Sequence, residues 1–132
     1  NATVSGAEGG CQAECGVASA MASAAIIEML GGKPEICLEG ASIAIQNILG
    51  LVCDPIAGLV ECPCGKRNAS GVVNALLSAD LALAGAKSII PFDEVIDAMY
   101  KVGKALPDSL KETALGGLAA TPTGKKLKEK LL

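Results

Sequence analysis

QAECGVASAMASAAIIEMLGG (Gln12–Gly32) is the stretch on which the fold turns. It is rich in alanine, contains no proline, and stops at a glycine pair, so it predicts a helix from about Gln12 to Leu30 closed by Gly31-Gly32. Most of its side chains are small. Helices built this way let neighbouring backbones approach closely. The same character pervades the chain: 51% of the 132 residues are apolar, yet there is no Trp, one Phe (Phe92) and one Tyr (Tyr100).

Outward from this helix the pattern stays helical. Upstream, NATVSGAEGG (Asn1–Gly10) has no period and predicts a loop. Downstream, Pro34 suits a first helical position. Cys37, Ala41, Ala44, Ile45 and Ile48 then form one helical stripe that ends near Gly50. LVCDPIAGLVECPCG (Leu51–Gly65) is broken by Pro55 and Pro63, which disfavour helix at the residues before them. It predicts an ordered Cys/Pro loop with at most short helical turns. A small-residue helix follows from Lys66 to about Ala84, closed by Gly85. Pro91 opens an amphipathic helix with Phe92, Val95, Ile96, Met99 and Tyr100 on one face and Asp93, Glu94, Asp97, Lys101 and Lys104 on the other. Pro107 begins a short helix that ends before Gly116-Gly117, and a lysine-rich helix follows Pro122. No segment alternates like a strand and no repeat is present. The expected fold is all-α: residues 1–132 as a single domain, an irregular helical bundle.

Several functions are disfavoured by composition. A net charge of −3 with mixed signs gives no field to draw nucleic acid, and aromatic platforms for bases are missing. The most apolar run, Val17–Leu30, carries Ser19, Ser23 and Glu28 and is too short for a hydrocarbon core of about 30 Å. No basic segment precedes an apolar run as in a signal peptide. The start at Asn1 rather than Met reads as a fragment or a processed subunit. Six cysteines permit a secreted disulfide framework or a reduced intracellular protein with metal-binding thiolates. The long helices favour the second, and a cytoplasmic location.

Taken singly, the cysteines differ. Cys37 lies on an apolar helical stripe and reads as a buried small hydrophobe. Cys11 and Cys15 are one helical turn apart, suited to two ligands or to one ligand beside a core residue. Cys53 precedes Asp54-Pro55, and Cys62 and Cys64 flank Pro63, where rigid irregular backbone suits ligation. The chain has no His. All-sulfur ligation favours zinc or iron–sulfur, but neither paired CxxC spacing nor a ferredoxin run is present. Spacing alone therefore indicates a thiolate metal site and chooses neither the cluster nor the sulfurs.

Three segments carry a resemblance: SGAEGGCQAECGVASAMA (Ser5–Ala22), LGLVCDPIAGLVECPCGKRNA (Leu49–Ala69) and SADLALAGAKSIIPFDEVIDAMYKVGKALPDSLKETALGGLAATPTGKKLKEKL (Ser78–Leu131). In this order they resemble the C-terminal part of the α subunit or domain of the bacterial iron–sulfur-dependent L-serine dehydratases. The family motifs GCQ-x-E, CDP-x-AG and PC-x-x-RN fall on Cys11, Cys53 and Cys64 here. The resemblance implies that these three hold a [4Fe–4S] cluster, leaving Cys15, Cys37 and Cys62 outside the motifs.

The activity so implied is deamination of L-serine to pyruvate and ammonia, without pyridoxal phosphate. An iron lacking a protein ligand would serve as Lewis acid toward the substrate. The partners implied are an N-terminal α half and a β subunit or domain, in an oligomer. The base is not evident; Glu8, Glu14, Asp54 or a lysine of lowered pKa are the candidates within the chain. The Ser5–Gly10 segment, with Ser5, Gly6, Gly9 and Gly10, either offers backbone N–H groups to a substrate carboxylate or is a plain connector. Arg67, beside Asn68, either pairs with a carboxylate or caps a helix end. Thr123-Gly124-Lys125-Lys126 lacks the glycine spacing of a phosphate loop. Asn1-Ala2-Thr3 and Asn68-Ala69-Ser70 match glycosylation acceptors that an intracellular chain does not use. A rival from another class is a non-catalytic helical scaffold sharing these motifs.

Overall fold

The long small-residue helix forms as its composition requires, and everything else is arranged on it. In a computed structural model describing residues 2–132, six helices follow one another. They are α1 (Gly6–Gly9), α2 (Cys11–Met29), α3 (Pro34–Gln46), α4 (Cys64–Leu83), α5 (Phe92–Ala105) and α6 (Pro122–Leu131). Single 3-10 turns stand at Ile56–Gly58, Asp108–Leu110 and Gly117–Ala120. Among the described residues there is no strand, so the fold is all-α. Nor is any described helix long and apolar enough to cross a membrane. Asn1, the asparagine of the first acceptor motif, lies outside the described residues.

α2, α3 and α4 pack against one another, α5 rests on α3, α1 and α2, and α6 lies against the turns at Ile56–Gly58 and Gly117–Ala120. The core has two parts. Ala20, Ala41, Ala44, Ile45, Val95 and Met99 join α2, α3 and α5. Ile27, Ile43, Ala79 and Ala82 join α2, α3 and α4, with Cys37 packed alongside as the stripe predicts. Small residues set the spacing: a Cβ on Gly40 would lie 2.8 Å from Ser23 Oγ and would collide with Ile27. Burying alanines yields little transfer energy per residue, so close approach supplies what bulk does not.

The structure departs from the sequence expectations at several places. Ser5 to Gly10 is not wholly loop: the Ser5 carbonyl accepts from the N–H groups of Glu8 and Gly9, making the one-turn α1. Gly10, at φ 77°, then separates α1 from α2. α3 ends at Gln46 rather than near Gly50, because Asn47 to Gly50 form turns with Gly50 at φ 89°. The short helix expected after Pro107 is a single 3-10 turn, ended by the extended backbone of Lys111 at φ −105° and ψ 158°. Tyr100 is exposed, its ring 5.4 Å from Lys104 Nζ. The buried stripe of α5 passes from Met99 to Gly103 instead.

Candidate functional site

Three cysteines are delivered to one cleft, two as the first residues of helices and one from the loop between α3 and α4. Cys11 is the first residue of α2. The register of that end is set by Gln12, whose N–H donates to the Leu51 carbonyl at 2.9 Å. Cys53 stands in the irregular loop and its N–H donates to the Leu110 carbonyl at 2.9 Å. Cys64 is the first residue of α4, where the Pro63 carbonyl accepts from Lys66 and Arg67. α4 thus starts two residues earlier than its composition predicts.

The cleft has a volume of about 40 Å³. Its lining comprises the thiols of Cys11, Cys15, Cys53 and Cys64, the carboxylates of Glu14 and Glu112, the Asn68 amide, and the apolar Pro55 and Val60. Cys62 is exposed and is not part of the lining, and Cys37 of α3, expected to be buried, is half-buried against the core. All six cysteines are free thiols. The Cys15 thiol lies within reach of Cys11 and also contacts Asn68 Oδ1 at 3.6 Å.

The electrostatics of the cleft are those of crowded thiols. Burial, then the neighbouring Cys11, pushes the Cys53 thiol up to about 12 and the Cys15 thiol up to about 11. Glu112 adds to the rise at Cys53 and Glu14 to that at Cys15. Cys64 is raised for the same leading reasons, with Arg67 acting against the rise. Anionic sulfur in numbers is therefore unfavourable here without added positive charge, which a metal centre supplies. Among the described residues no three Cys, Asp, Glu or His side chains close to the spacing a single ion demands. The soft all-sulfur donor set is of the kind that an iron–sulfur cluster or zinc takes.

Arg67 and Asp54 form the framework under the cleft. Arg67 Nη1 donates to Asp54 Oδ1 at 2.7 Å and to the Val52 carbonyl at 3.0 Å, and lies 3.9 Å from Cys11 Sγ. Burial alone would lower the Arg67 pKa, but its hydrogen bond with Asp54 and the charge of that carboxylate outweigh it and raise the value. Asp54 Oδ2 accepts from the Leu118 N–H at 2.7 Å, so both its oxygens are engaged. Gly117, at φ 56°, lies directly on that carboxylate, where a side chain would strike Asp54 Cβ at 2.7 Å.

The remaining sequence candidates separate by place. Gly6 faces the cleft: a Cβ there would sit 2.7 Å from Glu14 Oε2 and 3.6 Å from Cys53 Sγ. Gly9 and Gly10 point elsewhere. Gly9 lies against Gly103 of α5, and Gly10 is enclosed by Leu106 and the Leu51 carbonyl. Ser5 donates its N–H to Thr3 Oγ1 at 3.0 Å and caps α1 only through its backbone. Glu8 is exposed on α1, and of the carboxylates weighed only Glu14 lines the cleft. Sequence reading missed Glu112, which lies in an irregular segment with no motif; only the contact between Cys53 and Leu110 brings it near.

Residues 1–119 match the family model described as serine dehydratase alpha chain. The chain is 63% identical over 131 residues to the probable L-serine dehydratase, alpha chain, of Bacillus subtilis, covering 99% of this chain and 44% of that protein. It is 64% identical over 131 residues to the L-serine dehydratase, alpha chain, of Peptoniphilus asaccharolyticus, covering 99% and 45%. With L-serine dehydratase 1 of Escherichia coli it shares 47% identity over 120 residues, covering 90% and 26%. The chain thus spans less than half the length of these curated relatives. By the extent of these matches, this chain belongs to the serine dehydratase alpha chain family.

Proposed function

We propose that these residues are the cluster-bearing part of an L-serine dehydratase α chain, deaminating L-serine to pyruvate and ammonia in the cytoplasm. The carrying observation is the meeting of Cys11, at the start of α2, with Cys53 and Cys64 of the Leu51–Gly65 stretch at one cleft. These three are the proposed ligands of a [4Fe–4S] cluster. Cys15, which also lines the cleft, stands outside the set because it falls outside the family motifs. When bound, the cluster would supply a Lewis acid for the substrate's hydroxyl and carboxylate.

The chain's own residues have separate tasks in this reading. Arg67 places positive charge beside Cys11, easing the accumulation of thiolates. Asp54 holds Arg67 in place and ties the Gly117–Leu118 turn to the cysteine loop. Asp54 is therefore a positioning residue rather than the base. Glu14 and Glu112 are the carboxylates that border the cleft and stand where a proton can be accepted. The partners are the remaining part of the α chain and a β subunit or domain, in an oligomer.

Anaerobic reconstitution with iron and sulfide tests the reading. The expected result is a broad near-visible absorption that is lost in Cys11→Ser, Cys53→Ser and Cys64→Ser and kept in Cys37→Ser. Unchanged spectra in Cys53→Ser and Cys64→Ser would overturn it.

A further inference from the structure

α4 presents its large apolar side chains to the outside. Its buried positions are Ala75, Ser78, Ala79 and Ala82. Val72 and Val73 are 62% and 63% exposed, and Leu76 and Leu77 are 50% and 51% exposed. These four recur at helical spacing along one face, and Asp80 is the sole charge between Asn68 and Ala84. A helix finished by water would carry its polar residues there. A contiguous apolar face of this kind marks an interaction surface.

Beside this face a groove of about 300 Å³ runs between α2 and α4, with Ala18, Ala22, Gly71 and Val72 in its walls. The Ser19 hydroxyl donates to the Gly71 carbonyl at 2.9 Å and holds the two helices together there. Met21, next to it on α2, is 69% exposed. Cys15 and Asn68 line both this groove and the cysteine cleft, so the two are continuous.

We infer that the outer face of α4 and the α2–α4 groove seat the part of the family's α chain that these 132 residues do not include. The chain spans 44% and 45% of two α-chain relatives, so more than half of such a chain remains to be accommodated. None of the cleft's described lining residues is a cation, and the nearby Arg67 is shared between Asp54 and Cys11. A segment seated in the groove borders the cleft and can complete it. The inference rests on the reading of the cleft as the α chain's site.

Thiol labelling of Leu77→Cys, located by peptide mass spectrometry, tests it. The variant is made in the 132-residue chain and in a full-length Bacillus subtilis α chain whose matched region is replaced by this sequence. Asp97→Cys, on the exposed side of α5, is the control for reagent access, and slow labelling of the buried Cys53 in both settings, lost in denaturant, shows that each carries the domain folded. Position 77 is expected to react at least tenfold more slowly in the long chain. Equal rates at position 77 would overturn the inference. Protection already present in the short chain, with a solution mass of two copies, would overturn it in favour of self-association. The reconstituted absorption of the same hybrid is read separately, so loss of the docking face leaves the cluster reading standing or falling by its own measurement.

Discussion

Gln12 is 1% exposed and uses its whole amide. Nε2 donates to the carbonyls of Gly9 and Met99, both at 2.9 Å, and Oε1 accepts from the Gly50 N–H at 2.9 Å. One side chain thus ties α1, α5 and the turn before the cysteine loop to the residue following Cys11. Replacement by alanine leaves buried backbone groups without partners, each costing about 1–3 kcal/mol. Gln12→Ala is expected to lower stability by about 3 kcal/mol in urea denaturation; a loss below about 1 kcal/mol would show that water takes over these bonds. The family motif marked this glutamine, but its physical role was not legible. Two of its partners lie 38 and 87 residues away. Glu112 was hidden for the same reason.

Among the elements, α5 was the most legible because its apolar period and Pro91 agree. Its contact with α1 was not. Gly103 sits so close to Gly9 that a Cβ would meet Gly9 Cα at 2.9 Å and Gln12 Nε2 at 3.2 Å. Alanine there gains about 0.5–1 kcal/mol of helix propensity. It meets backbone that cannot yield without moving a helix, an overpacking cost of about 1–3 kcal/mol. Gly103→Ala is therefore expected to lower the thermal midpoint by several degrees in a calorimetric scan, whereas an unchanged or raised midpoint would mean that α1 moves freely. α4 shows the opposite limit. Its helix was foreseeable, yet composition does not reveal that alanines and serines face inward while valines and leucines face out.

For the whole molecule, cohesion comes from helix packing without cross-links. All six cysteines are free, against the disulfide framework that their number also permitted. Six thiols per chain are expected to react in denaturant without prior reduction, and the thermal midpoint is expected to be the same with and without a reductant. A midpoint that falls on reduction would reveal a bridge, since each contributes about 2–4 kcal/mol. The sequence by itself determined the all-α class, the long helices and the irregular Cys/Pro loop, because helix period, proline and glycine act over a few residues. Chemistry alone also limited the site to thiolates, and the family motifs chose Cys11, Cys53 and Cys64 among them. Only the tertiary structure decided that these three share a cleft with Cys15, Glu14 and Glu112. It also decided that Asp54 and Arg67 spend themselves on each other beneath that cleft. Those outcomes depend on contacts between residues remote in the chain, and the close helix approach that sets them leaves no local mark in the sequence.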